Sequence, residues 1–214
     1  MLRKANESVG SLRQPTQKSA TDWAHEWMAL VFTPLIRVLR RANVSPNAIT
    51  VFGFALGLFG GVALALGYWR VAIVLIVASG LLDGVDGLLA RQSQRVTRFG
   101  AFLDSVLDRW SDSALFLGLL IWYSSLDMHI QVILASTALA SSLLVSYTRA
   151  RAEGVGAQCK RGLFTRLERF IVLVAGLVLN LMTVALCVVA VLSTLTAIQR
   201  IYYTSEYIKA NLED

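Results

Sequence analysis

Six apolar runs parted by short polar links restrict this chain more than any other feature. They cover about 48–69, 71–91, 99–123, 130–152, 163–181 and 184–203. A helix rises about 1.5 Å per residue, so a run of about 20 residues matches a hydrocarbon layer about 30 Å thick. Hydrocarbon offers no partner to a backbone N–H or C=O, and a helix satisfies both within the segment. The pattern therefore predicts an all-α polytopic membrane protein with six transmembrane helices. Composition agrees: of 214 residues, 56% are hydrophobic and only 16% charged, and the mean hydropathy is +0.60. An ordinary soluble domain of this length does not look like that.

Ahead of the first run lie two segments of different character. Residues 1–20 are rich in Ser, Gln, Lys and Arg and read as a polar flexible N-terminal segment without the apolar centre of a signal peptide. Residues 21–43 read as an interfacial amphipathic helix, with Trp23, Trp27, Leu30, Val31, Leu35, Val38 and Leu39 near helical spacing and Arg37, Arg40 and Arg41 at its far end. Thr21 or Asp22 is its expected cap, and Pro34 is expected to kink it. Ser45-Pro46-Asn47 breaks that helix and starts the first span. Residues 44–214 then form the six-helix membrane domain. Six spans put both termini on one side. Almost all basic residues near span ends fall there, while Arg70 falls opposite, so the positive-inside rule predicts that side to be cytoplasmic. The net charge of +6 is thus a topology signal and an attraction to anionic lipid; no interleaved basic–aromatic stripe points to nucleic acid.

The stretch DGVDGLLARQSQRVTRFGAFLDSVLD, residues 83–108, holds four carboxylates between two apolar runs. As helices, Asp83, Asp86, Gly87 and Ala90 share one face of the second span, and Gly100, Asp104 and Asp108 share one face of the third. Two helices ending and starting at one membrane surface would aim all four acids into one gap. Ionisable groups beside hydrocarbon mark a functional site by default. Four carboxylates this close repel one another unless cations join them. Neighbouring arginines would make an ion-paired seam between helices; divalent metal ions would make a reaction centre. Oxygen ligands without usable Cys or His favour Mg²⁺ or Mn²⁺, and two such ions would balance four acids. A pair of metals about 4 Å apart is a standard device for displacement at phosphorus. Gly84, Gly87 and Gly100 leave space for a bulky ligand to approach the backbone.

Asp83-x-x-Asp86-Gly87-x-x-Ala90-Arg91, eight residues, then Gly100-x-x-x-Asp104-x-x-x-Asp108 resembles the signature of the CDP-alcohol phosphotransferases (CDP-alcohol phosphatidyltransferases), with every fixed position filled. SPNAIT before the first span and the six spans extend the likeness from about residue 44 to the C-terminus. The resemblance implies transfer of a phosphatidyl group from a CDP-linked lipid, such as CDP-diacylglycerol, to an alcohol, with release of CMP. It implies that Asp83, Asp86, Asp104 and Asp108 ligate the metals and that Asp108 takes the proton of the acceptor hydroxyl. Asp83, Gly87, Ala90, Arg91 and Gly100 would bind the CDP-lipid, Arg91 through its diphosphate. Asn47 and Thr50 would face the nucleotide, or else cap the first span. Asp112 extends the acidic face by four residues, as a site residue or as a partner to an arginine.

A second basic cluster bears on the acceptor. SYTRARAE ends the fourth span and TRLERF begins the fifth, so Arg149 and Arg166 or Arg169 could enter the gap from opposite sides, where guanidinium forks suit a phosphate. These arginines could equally anchor helix ends at headgroups. Together with GAFLDSVLDRWSDSALF they resemble the branch that makes phosphatidylinositol phosphate, or its archaeal ether-lipid counterpart, from inositol phosphate. That branch shows Lys where this chain has Arg149, and an Arg-Pro-Glu-Arg-like run where it has Arg166-Leu167-Glu168-Arg169. Ser146, Arg149 and Arg169 are the expected holders of the acceptor phosphate. Glycerol 3-phosphate, giving phosphatidylglycerol phosphate, is the alternative acceptor. A transporter or lipid-binding scaffold is the alternative from another class, but an ion path would spread acids through the membrane depth. The resemblance, with the glycine-rich helix faces, also implies a homodimer. Cys159 and Cys187 lack metal-ligand spacing, and His25 and His129 stand alone.

Overall fold

The computed structural model describes residues 32–93, 97–157 and 162–212, and all of the regular structure among them is helical. The chain runs through α1 (residues 32–41), α2 (Pro46–Ala65), α3 (Trp69–Gln92), α4 (Arg98–Ser125), α5 (His129–Gly154), α6 (Arg166–Val178) and α7 (Met182–Leu212). The polar segment 1–20 and the expected interfacial helix before residue 32 lie outside the described residues. The helix starts follow local chemistry. Ser45 caps α2, its Oγ accepting the Ala48 N–H at 3.2 Å, with Pro46 in the first helical position. Thr97 caps α4, its Oγ1 accepting the Gly100 N–H at 2.9 Å. At the start of α6 the Glu168 carboxylate accepts the Thr165 N–H at 2.8 Å and also the Thr165 hydroxyl. Each such cap is worth about 1 kcal/mol.

Four helical stretches are long and apolar enough to cross a membrane: Pro46–Ala65, Trp69–Gln92, His129–Gly154 and Met182–Asn211. The other two expected spans, α4 and α6, do not qualify. The N-terminal part of α4 carries Arg98, Asp104, Asp108, Arg109 and Asp112, and α6 has 13 residues, about 20 Å of helix. Beyond the expected sixth span, α7 runs through the segment expected to be a polar tail, up to Leu212. Side chains such as Phe52, Val74, Ile133 and Ile198 are more than half exposed, as lipid-facing residues should be.

α2 lies against α3 and α4, α5 against α4 and α7, and α6 joins α3 to α7. The glycine face of α2 explains the first contact set. A Cβ at Gly57 would stand 3.0 Å from Ser79 Oγ and 3.1 Å from Ser111 Oγ, and one at Gly61 would collide with the Ala114 carbonyl. Gly118 of α4 is equally close to the Gly61 carbonyl. The backbones of α2 and α4 meet directly at Gly61 and Gly118, and at Gly57 only the small Ser79 and Ser111 side chains stand between the helices, which is how helices gain packing energy where lipid removes the hydrophobic incentive. Ser79 adds a hydrogen bond to the Gly53 carbonyl at 2.7 Å. A core of Leu64, Ile76, Phe116, Leu119, Leu186 and Val189 fills the bundle. At one end Trp69 stacks edge-on against Trp122, with centroids 5.9 Å apart, as expected of an interfacial belt. Asp83 follows Trp69 on the same helix by about 21 Å of rise, so the acids belong to the opposite end.

Candidate active site

Four helix ends converge at that far end. α3 brings Asp83, Asp86, Gly87, Ala90 and Arg91 in its last turns, and α4 brings Gly100, Asp104, Asp108 and Asp112 in its first. α2 contributes Asn47 and Thr50 from its first turns, and α6 contributes Arg166 and Arg169. One carboxylate oxygen from each of Asp83, Asp104 and Asp108 lies within 4.8 Å of the others, a grouping able to hold a metal ion. Asp86, the fourth expected acid, stands outside that grouping in a buried position, near enough to Asp83 and Asp104 to feel both charges. Its Oδ2 accepts the Thr50 hydroxyl at 2.6 Å. Thr50 is thus neither the cap of α2, a part taken by Ser45, nor idle: it fixes the orientation of an acid from a neighbouring helix.

The donor set fits a hard divalent ion on two counts. All candidate ligand atoms are carboxylate oxygens. Asp104 Oδ1 is buried yet meets no hydrogen-bond donor, and such an oxygen is costly unless a cation or water reaches it.

Beside the acids lies a cavity of ≈ 180 Å³. Asn47 and Thr50 wall it on one side and Gly87, Ala90 and Arg91 on another; Asp86, Gly100 and Asp104 also line it. Gly87 leaves open space, since a Cβ there would meet only Arg91 Nη2, at 3.7 Å. Gly100 serves differently: a Cβ there would stand 3.0 Å from Asn47 Oδ1 and 3.0 Å from Thr97 Oγ1. Its missing side chain makes room for Asn47 and for the cap of α4.

Among the described residues, the arginine that enters the acidic gap is Arg166. Its Nη1 lies 2.7 Å from Asp83 Oδ2 and its Nη2 lies 2.9 Å from Asp108 Oδ1, with Asp112 Oδ1 at 3.6 Å from Nε. A close helix contact delivers it. Gly80, one turn before Asp83, has no side chain, and the Phe170 ring, one turn after Arg166, occupies that space. Arg109 also reaches Asp108, at 3.5 Å. Arg169 is buried, with Nη2 at 3.8 Å from Asp112, which gives Asp112 the partner-to-arginine role.

The expected acceptor residues separate. Arg169 sits in the site. Ser146 is partly buried and donates to the Ser142 carbonyl at 3.4 Å. Arg149 is half exposed and pairs with Glu153 at 2.9 Å. Sequence reasoning passed over Arg200, which is buried in α7 and donates to the Val145 carbonyl at 2.6 Å. Gly162 makes room for it, a Cβ there standing 2.9 Å from Arg200 Nη2. Arg109, Arg166 and Arg200 each lie close enough to Arg169 to act on it electrostatically, and Arg166 and Arg169 both approach Asp112. The only sequence signal for Arg200 was an arginine inside an otherwise apolar helix.

Comparison with known proteins bears on this geometry. The profile of the family described as CDP-alcohol phosphatidyltransferase matches residues 43–197. The archaetidylinositol phosphate synthase of Methanothermobacter thermautotrophicus is 35% identical, over 86% of this chain and 98% of that protein. The phosphatidylinositol phosphate synthase of Streptomyces avermitilis is 37% identical, over 91% of this chain and 86% of that protein. The Mycobacterium tuberculosis phosphatidylinositol phosphate synthase, solved with CDP-DAG bound, superposes with a TM-score of 0.75 at 31% identity, covering 82% of this chain and 94% of that one. The same enzyme solved with manganese and citrate gives a TM-score of 0.75 at 32% identity, covering 80% and 88%.

Proposed function

This chain belongs to the CDP-alcohol phosphatidyltransferase family, and from that premise we propose that it transfers a phosphatidyl group, or its ether-lipid equivalent, from a CDP-linked lipid to inositol phosphate, releasing CMP. The observation that carries the reading is the meeting of the Asp83, Asp104 and Asp108 oxygens within 4.8 Å beside a cavity walled by Arg91 and two side chains no larger than a methyl group, Gly87 and Ala90. Relatives whose names specify inositol phosphate products, at 35% and 37% identity, support the acceptor.

Asp83, Asp86, Asp104 and Asp108 would hold divalent ions, Mg²⁺ or Mn²⁺ and two in number, whose chemistry is to neutralise charge on a diphosphate. Thr50 keeps the Asp86 carboxylate turned toward its neighbours. Arg91 holds the donor's diphosphate, and Gly87 and Ala90 leave the nucleotide its space. Arg169, joined by Arg200, holds the acceptor's phosphate, since guanidinium forks match its oxygens; Ser146 would complete that pocket, and so would Arg149 on leaving Glu153. Asp108 accepts the acceptor's hydroxyl proton. The freed oxygen forms a bond to the lipid-bearing phosphorus, and the bond from that phosphorus to the bridging oxygen breaks, its electron pair leaving with CMP. Reactions of this kind need mainly positioning and charge neutralisation.

In this reading α4 and α6 complete a six-span bundle inside the cytoplasmic membrane. The acid cluster and both termini face the cytoplasm, so a lipid donor in the bilayer meets a soluble acceptor at its surface. A homodimer is part of the same proposal. The test supplies purified protein with CDP-lipid, Mg²⁺ or Mn²⁺ and each labelled alcohol in turn, and follows CMP release and the labelled lipid. Inositol phosphate should turn over. Turnover of glycerol 3-phosphate with none of inositol phosphate would replace the acceptor, and no CMP release with either would remove the reaction.

A further inference from the structure

We propose that Arg37, Arg40 and Arg41, together with Gln92, form a binding site for the phosphate headgroup of an anionic phospholipid. α1 is divided lengthwise into three sectors. Ile36 is fully buried, and Phe32 and Leu39 pack beside it against Ile49, Val85 and Leu89 of α2 and α3. That contact fixes the rotation of the helix. Arg37, Arg40 and Arg41, spaced by three and four residues, then fall on a second sector. Leu35 and Val38, 40% and 61% exposed, fall on the third. The basic sector and the end of α3 enclose a cavity of ≈ 450 Å³ lined by Thr33, the three arginines and Gln92. None of the five lining residues is acidic, and none of the three arginines forms an ion pair with another described residue.

Positive charge that meets no acid among the described residues, facing one cavity, selects an anion, and the place selects its source. α1 sits at the acid-cluster end of the bundle, with apolar Leu35 and Val38 free to enter acyl chains while the guanidiniums stay at headgroup depth. A lone inorganic ion would leave most of ≈ 450 Å³ to water, whereas a phosphodiester with its glycerol occupies a larger share of it. The cationic amine of a zwitterionic lipid would be repelled, so a headgroup of net negative charge is preferred. The cavity shares no lining residue with the one beside the acids, although Arg91 and Gln92 of the two are consecutive. The inference rests on the membrane placement proposed above and not on the reaction.

Thermal unfolding of the full chain in neutral detergent tests it without any substrate. Phosphatidylglycerol, phosphatidylcholine and inorganic phosphate are titrated separately, with polyglutamate as a soluble polyanion. The unfolding midpoint should rise with phosphatidylglycerol and with none of the others at equal concentration. In the triple variant Arg37→Gln, Arg40→Gln, Arg41→Gln, the apparent affinity for phosphatidylglycerol should fall on the order of 100-fold, and in each single variant about fivefold. Arg70→Gln, at the far end of α3, should leave it unchanged. The single variants keep the test decisive if the triple variant folds poorly. Equal protection by phosphatidylcholine, by inorganic phosphate or by polyglutamate would overturn the proposal, and so would a full response in the triple variant.

Discussion

The contact between Thr50 and Asp86 offers the sharpest test of how the site is held. Replacing Thr50 with Val keeps the branched shape and removes the hydroxyl that donates to Asp86 Oδ2 at 2.6 Å. A hydrogen bond to a charged group contributes about 1.5–3 kcal/mol. Asp86 is only 5% exposed, so water cannot readily replace the lost donor. At about 1.4 kcal/mol per tenfold, the change is about 10- to 100-fold in whatever equilibrium depends on the orientation of that carboxylate. Partners that orient metal ligands typically have effects in this same range of about 10- to 100-fold. CMP release titrated with Mn²⁺ at saturating CDP-lipid should therefore reach half-activation at about 10- to 100-fold higher metal in Thr50→Val. Free Mn²⁺, followed by its paramagnetic resonance, should show the same shift without turnover. Thr50→Ser, which keeps the hydroxyl, should stay near the parent. Superimposable curves for Thr50→Val and the parent would refute the reasoning, as would Thr50→Ser impaired equally with Thr50→Val.

Other expectations follow from the same geometry. Asp108→Asn should lower CMP release by about 10²- to 10⁴-fold, the usual worth of a general base; release at the parental rate would remove that role. Arg166→Gln takes away the guanidinium bridging Asp83 and Asp108 at 2.7 and 2.9 Å, so the unfolding midpoint in chelator should fall, as expected for a loss of about 1.5–3 kcal/mol, the worth of a hydrogen bond to a charged group. Added Mn²⁺ should restore it; a midpoint indifferent to metal would show that nothing but arginine balances these acids. Gly61→Ala forces a methyl against the Ala114 backbone and should cost about 1–3 kcal/mol of stability. Gly87→Ala, with 3.7 Å to its nearest neighbour, should unfold like the parent and instead raise the KM for CDP-lipid. A loss of stability equal to that of Gly61→Ala would mean that Gly87 is there for packing.

Helical class, the bounds of α2 to α5 to within a few residues and the two acid-bearing faces were legible in the sequence because each depends on local spacing. Asp83 and Asp86 repeat at three, and Asp104, Asp108 and Asp112 at four, so any helix through them must present them together. Ser45-Pro46-Asn47 marked the start of α2, whereas the caps themselves, Ser45 for α2 and Thr97 for α4, came from the structure. The membrane-crossing expectation was less secure where charge interrupts the run. α4 combines an apolar C-terminal part with five charged side chains before it, and α6 is a helix of 13 residues, so neither has the composition of a free-standing span.

Partners across helices were settled by tertiary structure alone. Thr50 and Asp86 are 36 residues apart, and Arg166 and Asp83 are 83 apart; no periodicity links such positions. Nor could spacing choose among the arginines: Arg149 turned to Glu153, Arg166 entered the acids, and Arg200 reached the Val145 carbonyl from a helix whose local pattern is apolar. Gly80 shows why. An absent side chain in α3 admits the Phe170 ring, and that single close approach decides which guanidinium reaches the carboxylates. Local chemistry fixed which groups each helix would carry, and only the packing of one helix on another decided which of them would touch.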